Sequence, residues 1–374
     1  MSKKRHAEIA GAGFAGLTAA IALRQRGWTV RIHETSPILR EFGAGIFIWD
    51  NGLLVLKSIG AYDDVIRTSH EAEYFETLSG PNVVSKIPFG AAVGRRMVTM
   101  TRQNLYAAVL GAAQREGADI VTSSTVVDVS AGGELHTQDG KTFKGDLVIG
   151  ADGVKSAVRQ ALQMPTERRT YDDGVIRLLA GRPVDMRGGS WDHIIDFWSA
   201  DQGGLRILYT PCGQEEVYLN MMAPYANEAG CAIPVNKDVW CKAVPELAAI
   251  ISTLGEQGRY DRYEMTKVKS WSSGAVALVG DSASAMPPTL GQGAGCAMMN
   301  ALSLAVMVED ADDIPAALKA WEARERWLTD DTQRTACKIA DERILRHGDT
   351  FLPDSDALVA ARHIPTGTTA IASL

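Results

Sequence analysis

Apolar and polar positions along the chain fall into distinct regimes. From Ala7 to Glu34, "AEIAGAGFAGLTAAIALRQRGWTVRIHE", an apolar run meets a glycine-rich turn. Leu17, Ile21 and Leu23 then lie near one helical face, and Val30 and Ile32 alternate with polar neighbours. The pattern predicts strand, tight turn, helix and strand, with Gly27 stopping the helix. Two later runs, "DLVIGADG" (146–153) and "AVALVGD" (275–281), are continuously apolar and are followed by an acid. Runs of that length suit a parallel sheet covered on both faces. Glu8 is out of place, because an apolar residue is expected inside the first strand.

The middle of the chain changes period. "GVIRLLAG", "HIIDFWS", "LRILYTP" and "EVYLNMMAP" follow one another between Gly174 and Pro224, separated by turn residues. That spacing predicts an antiparallel sheet with no crossover helices. The expected fold class is therefore α/β, a Rossmann-like domain with a β-rich domain inserted. The expected boundaries are 1–73, 97–170 and 265–350 for the first, and 74–96 and 171–264 for the second. A charged helical run, "IPAALKAWEARERWLTDDTQRTACKIADERIL", precedes a tail (351–374) whose end, "PTGTTAIASL", reads as loosely held.

One stretch fits neither regime. Residues 282–308 carry no formal charge, yet Pro287, Pro288, Gly291, Gly293 and Gly295 interrupt them. This is too apolar for a surface loop and too broken for a membrane span.

Composition narrows the partners. With 374 residues, 46% hydrophobic and 22% charged, the chain can form two domains or one large α/β body with a second layer. A net charge of -7, with "KKRH" (3–6) the only basic cluster, argues against nucleic acid. Five cysteines without a CxxC pair, and no secretory segment, point to reduced thiols in the cytoplasm. Seven histidines form no HxH or HExxH pattern, so no metal is expected.

Gly11, Gly13 and Gly16 form G-x-G-x-x-G between strand and helix. The first glycine permits the turn, the second lets backbone approach a pyrophosphate, and the third lets helix and strand pack closely. The helix N-terminus then faces the phosphates. Gly11, Gly13, Ala15 and Gly16 are the expected contacts, and Glu34, at the end of the second strand, suits ribose hydroxyls.

The turn, "GADGVKSAVR" (150–159) and "GDSASAMPPTLGQGAG" (280–295) together resemble the single-component, class A FAD-dependent aromatic monooxygenases. The likeness runs in order over most of the chain. It implies an FAD-binding domain of the GR2, aromatic hydroxylase type, with FAD as cofactor and NADH or NADPH as co-substrate. By the resemblance Gly280 and Asp281 meet the FAD ribityl-pyrophosphate region. Pro288, Gly291, Gly293, Ala294 and Gly295 then wall the flavin, and a helix from about Gly293 to Val308 aims its N-terminus at the ring's pyrimidine end. Asp152 is tied to FAD and nicotinamide binding, with Ser156 and Arg159 nearby. Arg40 in "LREFGAGI" and Arg102 in "TRQNL" reach the cofactor. Ser284, Gly295 and Asn300 stand where the family usually has His, Asn and Asp.

"QGAGCAMMNA" is similar to the enzymes acting on 3-hydroxypyridine carboxylates. The resemblance implies a flavin C4a-hydroperoxide attacking a hydroxylated N-heteroaromatic acid, such as 5-hydroxynicotinate or 2-methyl-3-hydroxypyridine-5-carboxylate, with ring opening. The inserted sheet should roof the flavin. There Arg206 and Tyr218 can face one cavity if their strands pair in register, Arg206 for the substrate carboxylate and Tyr218 near the ring. Phe47 stands where the ring-opening relatives are expected to have tyrosine. Two alternatives stay open: plain hydroxylation of a benzenoid phenolic acid, and a non-catalytic carrier that keeps the FAD fold.

Overall fold

The structure is a computed structural model that describes residues 4–39, 44–199, 202–342 and 359–368. Strand His6–Ala10, helix Phe14–Gln25 and strand Thr29–His33 follow one another, and the strands pair in parallel with Ile9 opposite Ile32. Leu147–Gly150 and Val276–Leu278 add two more parallel strands on the other side of His6–Ala10. The sheet runs Ser272–Ser273, Val276–Leu278, Leu147–Gly150, His6–Ala10, Thr29–His33, Asp119–Val121. Helix Phe14–Gln25 packs against both Gly293–Val308 and Arg102–Arg115. It is therefore buried continuously from Phe14 to Leu23 instead of along one stripe.

Glu8 is buried in the first strand and satisfied there. Its carboxylate hydrogen-bonds His33 Nε2 at 2.9 Å and His6 Nε2 at 2.8 Å, and His33 Nδ1 lies 2.8 Å from the Ser124 hydroxyl. This polar chain underlies the three-stranded antiparallel sheet Val126–Ser130, Glu134–Thr137, Thr142–Lys144, whose Phe143 ring lies 4.6 Å from His33. An acid in a strand core is tolerated here because both of its oxygens find a hydrogen-bond partner.

The inserted sheet has seven strands, in the order Tyr260–Val268, Thr166–Gly181, Glu216–Pro224, Leu205–Pro211, Ile194–Ser199, Tyr74–Ser79, Asn82–Pro88. It departs from expectation in two ways. Ile194–Ser199 pairs with Tyr74–Ser79 in parallel, because the latter comes from an excursion much earlier in the chain. Thr166–Gly181 and Tyr260–Val268 also run straight across the expected boundaries at 170/171 and 264/265. Ile195, Phe197, Ile207, Leu219 and Met221 fill the outer face against Trp240, Leu247, Ile250 and Ile251 of the covering helices. Alternation sends the residues between them the other way.

Helix Ile314–Glu342 joins the two parts, since the Gln333 side-chain amide donates to both the Thr266 and Ala285 carbonyls at 2.8 Å. The described part of the tail, 359–368, is held more firmly than expected. Helix Val359–Arg362 packs on helix Asp50–Ser58, Pro365 is buried, and Thr366 donates to Glu325 at 2.8 Å. Among the described residues no helix is long and apolar enough to cross a membrane.

Burial raises the Glu8 carboxyl pKa, but hydrogen bonds from His33 and His6 more than offset this and hold it below its ordinary 4.5. A lowered folded value makes the contribution complete above pH 4.5 and lost as pH falls through the folded value. Glu8→Gln should cost about 1–3 kcal/mol at neutral pH. That gap from wild type should close in acid, which thermal unfolding of both proteins across pH checks.

Candidate active site

Neighbouring parallel strands bring their C-terminal ends together, and the three following turns meet there. Contact is at backbone distance. A Cβ on Gly11 would lie 2.5 Å from the Ala151 carbonyl oxygen, and one on Gly16 would lie 2.0 Å from the Gly11 oxygen. Gly11 also holds φ at +98°, which favours glycine. At Gly13 an added Cβ would meet nothing within 4 Å, so the turn is open on the side where a pyrophosphate is expected.

Arg159 ties two of the turns. It is 3% exposed and donates to the Ser282 and Val154 carbonyls, each at 2.7 Å. Burial lowers its pKa, against the pull of the Asp152 charge. Ser156 caps the short helix Ala157–Ala161 by accepting the Arg159 N–H at 3.0 Å. Glu34 fastens the first turn, accepting the Ala12 N–H at 2.9 Å and the Ser36 N–H at 2.8 Å. A carboxylate has about four lone-pair sites, so ribose hydroxyls remain compatible with both bonds.

From these turns a cavity of about 1040 Å³ runs beneath the seven-stranded sheet. Sites for one organic ligand occupy about 300–1,000 Å³, so the space suits a ligand as large as FAD. Of the predicted residues, Gly13, Ala15, Phe47, Arg102, Arg206, Tyr218, Gly280, Asp281, Pro288, Gly291, Gly293 and Ala294 all line it. Gly11, Gly16 and Glu34 build the turn behind it. Gly295 packs against Asn51 and Gln292, where a Cβ would lie 3.1 Å from the Asn51 oxygen. Asp152 sits between lining Ala151 and Gly153, with Oδ2 accepting the Val158 N–H at 3.1 Å and Oδ1 buried without a hydrogen-bond partner. Arg40 lies outside the described residues.

The donor set fits FAD. Asp281 is exposed at the cavity wall, where the surrounding protein strips part of its hydration and raises its carboxyl pKa while the Arg102 charge opposes the shift. The Arg102 guanidinium lies 5.2 Å from the Phe14 ring centre. The loop after Asp281 is pinned from below: the Trp49 indole N–H donates to the Leu290 carbonyl at 3.1 Å, and Asn51 Nδ2 donates to Gln292 Oε1 at 3.1 Å. Helix Gly293–Val308 begins at the cavity wall, where its free N–H groups favour negative charge. Asn300, at the position where acid is usual, donates to the Thr329 hydroxyl at 2.9 Å.

The sheet register puts Arg206 opposite Met222, Leu208 opposite Asn220, and Thr210 opposite Tyr218. Arg206 and Tyr218 do share the cavity face. Tyr218 packs its ring on Gly45, and burial pushes its hydroxyl up to about 12, so it stays protonated at neutral pH. Phe47 stands 6.5 Å from that ring and against Gly291.

Arg206 holds a partner that sequence reading missed. Its Nε and Nη2 donate to the two oxygens of Asp196 at 2.6 and 2.8 Å, and Asp196 is fully buried. The Trp198 indole N–H makes a third bond to Asp196 at 2.7 Å, and the guanidinium lies 4.6 Å from the Trp198 ring. Alternation in "HIIDFWS" was the available signal, because it sets Asp196 and Trp198 on the face opposite Ile195 and Phe197. Asp173, Arg177 and Tyr263 also line the cavity and were not singled out. Among the described residues no group of three or more His, Cys, Asp or Glu is placed to hold a metal.

A family model described as FAD binding domain matches residues 5–312. The chain belongs to that family and is an FAD-dependent monooxygenase of the aromatic hydroxylase type, an enzyme and not a carrier. The tetrameric form of 2-methyl-3-hydroxypyridine-5-carboxylic acid oxygenase is 44% identical, with a TM-score of 0.93 over 98% of this chain and 99% of that one. The 2-heptyl-3-hydroxy-4(1H)-quinolone synthase of Mycobacteroides abscessus is 35% identical over 89% of both chains. The 6-hydroxynicotinate 3-monooxygenase of Bordetella bronchiseptica is 26% identical over 90% of this chain and 91% of its own.

Two substitutions test the cradle. Asp281→Ala should give protein with little yellow colour and an FAD Kd raised about tenfold or more, the scale of one lost charged contact. Arg159→Met should leave the turns unlinked and weaken FAD retention without removing any lining residue. Flavin absorbance per mole of purified protein reads both.

Proposed function

We propose that the enzyme oxidises a hydroxylated N-heteroaromatic carboxylic acid, such as 5-hydroxynicotinate or 2-methyl-3-hydroxypyridine-5-carboxylate, with NADH or NADPH as reductant and with ring opening. The observation that carries this reading is the shared face of Arg206 and Tyr218, lying across one cavity from the Pro288–Ala294 loop. The 44% identity to an oxygenase of such an acid supports it. In this reading Gly13, Ala15, Arg102, Gly280, Asp281, Pro288, Gly291, Gly293 and Ala294 hold FAD, with Gly11, Gly16, Glu34, Asp152 and Gly295 supporting them. FAD, when bound and reduced, supplies the activation of dioxygen.

The chain's own residues then orient the ring and keep water out. Asp196 fixes the guanidinium plane of Arg206 by two of its five N–H donors, so a substrate carboxylate meets the outer edge. Protonated Tyr218 can donate a hydrogen bond that stabilises an ionised ring oxygen, and that ionisation makes the ring electron-rich. Phe47, Leu208 and Met222 give the space its apolar walls.

A second reading is favoured by the same ion pair. With Arg206 already neutralised by Asp196, the cavity also suits an uncharged N-heteroaromatic ring, in line with the quinolone synthase relative.

Arg206→Ala would strand Asp196 as a buried charge and cost about 3–5 kcal/mol, confounding binding with folding. Arg206→Lys keeps a cation there and loses the fork. It should raise KM for a pyridine carboxylate about tenfold or more with FAD content unchanged, and an unchanged KM removes the clamp. Across a panel of hydroxylated pyridine and benzene carboxylates, substrate-stimulated NADH or NADPH oxidation tests the class. Product mass separates one oxygen gained, for hydroxylation, from two, for ring opening.

A further inference from the structure

A break in the roof sheet turns one acid inward. Thr166–Gly181 pairs with Tyr260–Val268 as far as Thr170 opposite Glu264, and resumes only at Gly174 opposite Arg262. Residues 171–173 thus bulge across from Tyr263 alone. Bulges commonly re-aim side chains beside active sites. This one is closed by Gly174, where a Cβ would lie 2.6 Å from both the Asp261 carbonyl oxygen and the Tyr260 ring. The two adjacent acids are sent opposite ways. Asp172 is out in solvent with Arg262 at 2.8 Å, and Asp173 is 9% exposed and lines the cavity beside Tyr263.

Arg206 is thereby flanked by two carboxylates. It grips Asp196, which already accepts three hydrogen bonds, and Asp173 lies within its electrostatic reach. A cavity meant only to hold an anion gains nothing from a second buried acid, since burying a carboxylate is costly unless donors meet it. With about four lone-pair sites, Asp173 can share Arg206 and still accept from a ligand. A ligand that rewards it brings an N–H to this end of the cavity.

We propose that Asp173 is a specificity-determining residue that accepts a hydrogen bond from the ring N–H of the substrate, selecting a nitrogen-protonated heteroaromatic ring over its carbocyclic or oxygen-containing counterpart. This rests on the reading of the enzyme as an oxygenase of N-heteroaromatic rings, and it deepens that reading by naming the tautomer. It holds for a pyridine acid with a protonated nitrogen and for an uncharged quinolone alike.

The test uses FAD-loaded wild type, Asp173→Asn and Asp173→Ala, with binding read from the flavin absorbance change. Two matched pairs serve as probes: 5-hydroxynicotinate against 3-hydroxybenzoate, and 4(1H)-quinolone against 4-chromone. Wild type should bind the nitrogen member of at least one pair about tenfold or more tighter. Both variants should keep their FAD and their affinity for the nitrogen-free member, and the preference should collapse toward unity. A preference that survives in the variants, or an equal loss for both members, overturns the role of Asp173 and leaves the proposed function standing. Binding of the quinolone pair alone, with preference lost in the variants, upholds Asp173 and removes the carboxylic acid. Wild type that binds none of the four overturns both.

Discussion

Everything in this molecule depends on three backbone turns being able to touch. The parallel sheet delivers their strands side by side, but the turns close only because Gly11 meets the Ala151 carbonyl, Gly16 meets Gly11, and Gly280 leaves room for the Ala15 methyl. Side chains then lock the arrangement, Arg159 between the second and third turns and Glu34 within the first. A dinucleotide site of this type is thus a packing problem before it is a recognition problem. The glycines that look like ligand contacts in sequence divide into those that open the cavity and those that bring backbone to backbone.

The floor of the site was largely legible from sequence and the roof was legible only in outline. The turn, both later strand-acid junctions and the helix beginning at Gly293 could be placed because local period and glycine spacing decide them. Even the misfit Glu8 was visible as a misfit, although its partner His33, and the Ser124 hydroxyl that in turn bonds His33, come from elsewhere in the chain and could not be named. In the roof, alternation assigned faces correctly for Arg206 and Tyr218. It could not show that Asp196 pairs with Arg206, because a one-strand pattern says nothing of its neighbour's register. The parallel pairing of Ile194–Ser199 with Tyr74–Ser79, and the bulge at 171–173, are likewise products of strand order and not of any local signal.

The roof is electrostatically more guarded than a plain anion clamp. Arg206 arrives at the cavity with its charge already matched and its plane fixed by Asp196 and Trp198. Preorganisation of that kind reduces what a ligand must spend in ordering the site, while removing part of its Coulomb attraction. In the proposed reaction, shape and hydrogen-bond pattern then weigh more than net charge in choosing the ring. Tyr218, kept protonated by burial, adds a donor that does not change across neutral pH.

The parallel edge of the roof carries a consequence for how the chain can be divided. Tyr74–Ser79 and its hairpin partner Asn82–Pro88 are made long before Ile194–Ser199, which among the described residues has no other partner on that side. A fragment beginning after the first hundred residues would leave Ile194–Ser199 as a raw sheet margin, apolar on one face and open to pairing with another chain. The cavity-roofing sheet therefore cannot be lifted out as a continuous cassette. Exchanging it between relatives requires carrying an early hairpin along with the later strands.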